Sequence, residues 1–134
     1  MGRGLLVDTS AWQPYFRIRA GSRQPAGAAA LADRVDRAVV DGDAVVHPVV
    51  AGEVLLGGVD PWDAFDGLEW LDTGDTDDDT VLSWLGSWPA GTVRGVGWAD
   101  CVIVHGAIHG DLELVTGDGD QQRLFDLARS SRRP

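Results

Sequence analysis

Four acidic residues stand where acids are costly. Leu5-Leu6-Val7 runs straight into Asp8, and an apolar triplet ending in a carboxylate predicts a buried parallel strand that delivers the acid at its C-terminal end. Glu53 is the only charged side chain from Ala44 to Val59, with histidine counted neutral, and Asp100 is the only one from Gly95 to Gly110. Asp118 follows a last strand predicted over Leu112 to Thr116. An isolated carboxylate in apolar surroundings needs a partner, and the chain contains no lysine. Carboxylates sharing one pocket repel, and several take up protons unless a cation neutralises them. Oxygen ligands without a thiolate favour Mg2+, with Mn2+ as a substitute, over zinc. One or two such ions can activate water and stabilise the leaving oxygen of a phosphodiester. The expected chemistry is therefore metal-dependent cleavage of a nucleic-acid backbone. Thr9 or Ser10 could orient a water on the metal, or could instead cap the helix that follows. Asp120 reads first as the N-cap of the final helix and second as a supplementary ligand beside Asp118.

The elements that must bring these acids together alternate between strand and helix. After the Leu5 strand, a short helix is expected over Ala11 to Ile18 and a longer amphipathic one over about Pro25 to Val40. Asp41-Gly42-Asp43 turns into a strand at Ala44 to Val46. His47-Pro48 then opens a helix, because proline suits the first helical position. On it, Val49, Val50, Leu56 and Gly57 share a face with Glu53 and turn it inward. A helix from Asp60-Pro61-Trp62 to about Leu68, a short strand over Glu69 to Asp72 and a helix over Thr76 to Trp88 come next, the last with Val81, Leu82, Leu85 and Trp88 on one side. The helix over Trp98 to His109 sets Asp100 at the top of a stripe of Ile103, Val104, Ala107 and Ile108. A helix to about Arg129 follows Gly117-Asp118-Gly119-Asp120. This alternation predicts an α/β fold, a parallel sheet of four or five strands covered on both faces, in one domain over 1–134 with a mobile tail at about 130–134.

Composition narrows the field. The 44% apolar content and six tryptophans exclude a disordered chain. No apolar run is long enough to span a membrane, and the start of the chain lacks a signal-peptide core, so a cytoplasmic location is expected. Cys101, the only cysteine, reads as a buried core thiol. A net charge of -10 argues by itself against nucleic-acid binding. Against that, Arg17, Arg19 and Arg23, with Arg34 and Arg37 on the next helix, could hold phosphates, and Arg94 lies in the glycine-rich loop before Asp100. His105 and His109 have the spacing of a metal-binding pair, but read as surface or interface residues because no glutamate completes a zinc motif. His47 reads as structural. Trp12, Trp84 and Trp98 could stack on bases, although core or dimer contacts are the simpler role.

Four segments resemble, in order, the motifs of PIN-domain ribonucleases, and the VapC toxins of bacterial toxin-antitoxin pairs in particular. They are Leu5-Leu6-Val7-Asp8-Thr9-Ser10-Ala11-Trp12, Val49-Val50-Ala51-Gly52-Glu53-Val54-Leu55-Leu56-Gly57, Gly95-Val96-Gly97-Trp98-Ala99-Asp100-Cys101-Val102-Ile103 and Leu114-Val115-Thr116-Gly117-Asp118-Gly119-Asp120. The resemblance covers nearly the whole chain. It implies a PIN-like three-layer α/β/α fold in which Asp8, Glu53, Asp100 and Asp118 are the catalytic, metal-binding quartet. It also implies a homodimer or a higher toxin-antitoxin complex, an RNA substrate such as tRNA or rRNA, and inhibition by a VapB-type antitoxin. The chain departs from the family where Gln121 follows Asp120 in place of the common Asp-Phe pair. Two rivals compete. A phosphoaspartyl domain would need a lysine that the chain lacks, whereas a catalytically inactive PIN-fold interaction module would keep the scaffold alone.

Overall fold

The computed structural model of the protein describes residues 4–74 and 76–131. Among the described residues four short strands, β1 (Leu5–Val7), β2 (Ala44–Val46), β3 (Glu69–Trp70) and β4 (Glu113–Val115), form one sheet in the order β3-β2-β1-β4. Every pairing is parallel, with Leu6 opposite Val45 on one side and Leu114 on the other. Parallel strands need crossovers, and among the described residues six helices supply them: α1 (Thr9–Arg19), α2 (Ala26–Val40), α3 (Pro48–Leu56), α4 (Trp62–Phe65), α5 (Asp78–Gly86) and α6 (Trp98–His109); α7 (Gly119–Ser131) follows the last strand. The connections from β1 through β2 to β3 step one way across the sheet, and the long return from β3 to β4 steps the other way. With right-handed crossovers, the first four helices therefore cover one face, and α5 with α6 the other. This is the α/β fold with a parallel sheet that the alternation predicts, here with four strands, and it is consistent with the three-layer PIN-like fold that the resemblance implies.

The core lies between these layers. Leu6 and Val7 of β1, Val46 of β2, Trp12 of α1, Ile103 of α6 and Leu124 of α7 are wholly buried. Trp12 meets Tyr15, Phe16 and Phe65 at centroid distances of 5.0–5.5 Å, so its ring joins α1 to α4 instead of waiting for a base. Trp98, by contrast, is exposed.

Local chemistry explains where the elements depart from expectation. Helix α1 begins at Thr9, ahead of the expected Ala11, because Asp8 caps it: its carboxylate accepts the Ser10 amide at 3.1 Å. Neither Thr9 nor Ser10 is the cap. Helix α4 stops at Phe65 because Gly67 takes the left-handed conformation, φ +78°. Helix α5 starts only at Asp78, after Asp77 accepts the Thr80 amide, and Leu82 faces outward although Val81 is wholly buried. On α3 the inward face is Val50, Ala51 and Val54; Leu56 is 90% exposed, not part of it. Helix α6 is buried nearly all round, which brings His105 inside with Cys101. Helix α7 continues through Ser131, so the tail expected at 130–134 is helical over its first two residues, and 132–134 lie outside the described residues. No described helix is long and apolar enough to cross a membrane.

Candidate functional site

The point where the crossovers change direction lies between β1 and β4, and the strand ends there open the crevice in which α/β folds place their ligands. Asp8 leaves the end of β1, its amide bonded to the Val115 carbonyl of β4 at 2.9 Å. It is 4% exposed. A carboxylate so deeply buried must be hydrogen-bonded, and this one is held on both oxygens. Oδ2 accepts from the Ser10 amide and, at 2.6 Å, from the Ser10 hydroxyl, and lies 3.2 Å from Thr116 Oγ1; Oδ1 lies 3.4 Å from Gln121 Nε2.

The other three acids arrive from separate elements. Glu53, on α3, is half-buried, and its Oε1 accepts the Thr9 hydroxyl at 2.7 Å. Thus the first residue of α1 fixes an acid 44 positions away. Asp100 occupies the first turn of α6, where the helix dipole favours negative charge. Burial nevertheless raises its pKa to about 6, and the charges of Asp8, Asp118 and Glu53 add to the rise. Asp8, Glu53 and Asp118 thus all lie close enough to Asp100 for their charge to be felt there. Asp118 Oδ1 accepts the amides of Asp120 and Gln121, so Asp118, not Asp120, caps the last helix. Asp120 is exposed and pairs with Arg123 at 3.7 Å.

Among the described residues, no arginine forms an ion pair with Asp8, Glu53, Asp100 or Asp118; the pairs present join Arg37 to Asp33, Arg123 to Asp120 and Arg129 to Glu113. The donor set, all oxygen and short of positive charge, suits a hard divalent cation. As the side chains stand, no three His, Cys, Asp or Glu among the described residues close to metal-binding distance, so a cation would have to draw the carboxylates inward.

The expected phosphate contacts divide. A cleft of about 490 Å3 on the Glu53 side is lined by Thr9, Glu53, Gln13, Phe16 and both Arg17 and Arg19. Arg17 lies there with no ion pair among the described residues, but Arg19 donates to the Tyr15 hydroxyl at 3.0 Å and covers its ring. Arg94 is exposed on the loop leading into α6, whose next residue, Gly95, approaches Asp120. His109 is exposed, as a surface residue should be, but His105 is buried, lies edge-on to Trp84 and stacks on His109. His47 is indeed structural. Its Nδ1 accepts the Val49 amide and caps α3.

Two residues of the site are absent from the set chosen by sequence, Thr116 and Gln121. The signal for Gln121 was present: Leu124, Phe125 and Ala128 follow it at helical spacing on the buried face of α7, and a polar residue heading such a stripe is aimed at something. No family model and no curated protein matches the chain.

Proposed function

We propose that this chain is a VapC-like PIN-domain toxin, a cytoplasmic Mg2+-dependent endoribonuclease in which Mn2+ can substitute. The observation that carries the reading is that Asp8, beside the switch point of the parallel sheet, acts with Glu53 and Asp118 on Asp100, while among the described residues no arginine is ion-paired to any of the four. These four would hold the cation, which supplies when bound the charge that activates water and stabilises the leaving oxygen of the scissile phosphate. The chain's own residues prepare the site. Ser10 holds Asp8, and Thr9 turns Glu53 toward the centre. Arg17 in the cleft and Arg94 on the loop before α6 would take phosphates of the RNA, offsetting the overall negative charge. The same acidic pocket suits an arginine of a VapB-type antitoxin, which would displace cation and RNA together. A homodimer, alone or within a larger toxin-antitoxin complex, completes the proposal.

A second reading keeps the fold as an inactive interaction module, and the carboxylates' failure to close to ligand distance favours it. Cleavage of a total RNA pool by antitoxin-free protein, with Mg2+ or Mn2+ against EDTA, separates the two. The nuclease cuts in a metal-dependent way, and Asp8→Asn or Asp100→Asn, which remove a charge but little volume, lose at least a hundredfold in rate while remaining folded. Unchanged cleavage in both variants would sink the assignment.

A further inference from the structure

Gln121 is wholly buried in the first turn of α7, with a side chain that reaches three elements at once. Its Oε1 accepts the Thr116 hydroxyl at 2.7 Å, while Nε2 lies 3.4 Å from Asp8 Oδ1 and 3.5 Å from the Asp100 carbonyl. The amide's orientation follows from chemistry. Two acceptors face one end and a hydroxyl faces the other, so only the nitrogen toward Asp8 and Asp100 satisfies every group. The remainder of the stripe, Leu124, Phe125 and Ala128, is apolar. A leucine or methionine would fill position 121 without the desolvation that a buried amide costs. The amide makes sense only through what it holds.

From this geometry we infer that Gln121 is a positioning residue for the cation site, its carboxamide tying the Asp8 carboxylate to the backbone at Asp100 so that acids from β1 and α6 approach one cation in a set arrangement. This inference rests on the nuclease reading and deepens it. Both Nε2 contacts are long, so they have room to shorten as the carboxylates draw inward. Partners of this kind, hydrogen-bonded to a ligand but not touching the metal, change metal affinity by about 10–100-fold. Asp118 caps the same helix turn, so the start of α7 sets two of the four acids: Asp118 directly and Asp8 through the amide.

The test is Mg2+ titration calorimetry on the full chain, wild type against Gln121→Met, a near-isosteric change that deletes the carboxamide. Thermal melts in EDTA accompany it. The expected result is Mg2+ affinity weakened about tenfold or more with metal-free melting within a few degrees of wild type. Equal affinity overturns the role while leaving the nuclease reading intact. The second measurement needs no folded variant. The Gln121 side-chain amide signal of wild type, followed by nitrogen-edited NMR, should move on Mg2+ addition, because a cation on Asp8 would draw on the carboxylate that the amide faces. A signal that stays put at saturating Mg2+ overturns the inference. If wild type takes up neither Mg2+ nor Mn2+, the nuclease reading itself falls and this role falls with it.

Discussion

Asp100 shows what the site costs the fold. Its pKa is raised to about 6 by burial and then by the charges of Asp8, Asp118 and Glu53, so the folded protein disfavours the ionised form. The sign follows directly: the cost is fully present above about pH 6 and is relieved as pH falls toward the ordinary carboxylate range. Asp100→Asn should therefore stabilise the metal-free protein at pH 7, by about 1 kcal/mol after solvent screening, or roughly 4 °C in Tm. The advantage should vanish by pH 4, where wild-type Asp100 is protonated. Thermal melts of both proteins in EDTA across that range provide the check; a variant less stable than wild type at pH 7 would mean the carboxylates do not repel as described. At this scale the acids were legible in the sequence, because a lone charge in an apolar run is conspicuous. The division of labour between Asp118 and Asp120 was not. Either could cap α7, and only the turn geometry decides which carboxylate faces the free amides.

Elements were legible to the extent that their signals are local. Proline after His47, the strand at Ala44 to Val46 and the helix at Trp98 to His109 lie where capping and periodicity put them. The orientation of α3 was not legible, because Val49 to Leu56 is apolar on several sides and periodicity cannot choose among them. Packing against α1 and α6 made the choice, leaving Leu56 in solvent. His47 shows how a cap can depend on such packing. Its Nδ1 caps α3, and its ring presses on Gly106 of α6, where an added Cβ would stand 3.1 Å from Cδ2. Burial lowers its pKa to about 4, so the neutral ring's contribution is complete above the ordinary value near 6.5 and is lost as pH falls from there to about 4. Charging it would also place a proton on the nitrogen that caps the helix. Wild type should lose on the order of 2–3 kcal/mol over that range relative to His47→Asn, which offers a cap that does not titrate. Denaturant titrations of both at pH 7 and pH 4 measure the difference, and parallel losses would remove His47 from the account.

At the scale of the whole molecule, one arrangement ties fold to function. The chain carries a net charge of -10, and every charged side chain between Arg37 and Arg94 is acidic. Self-repulsion of this kind weakens a compact state in general, and any salt relieves part of it by screening. The quartet at the switch point makes a sharper demand. Its acids come from β1, α3, α6 and the turn before α7, so a cation held by all four would join both helical layers to the sheet's centre. Binding to the folded state alone stabilises by about 2.7 kcal/mol at one hundred times the dissociation constant, roughly 10 °C for a chain of this size. Screening and site binding can therefore be told apart. Mg2+ should raise the wild-type Tm well beyond NaCl of matched ionic strength, whereas in Asp8→Asn the two salts should act alike. If Mg2+ and NaCl are equivalent in wild type, the acids are no more than part of a repulsive surface, and the inactive interaction module becomes the better description of this fold.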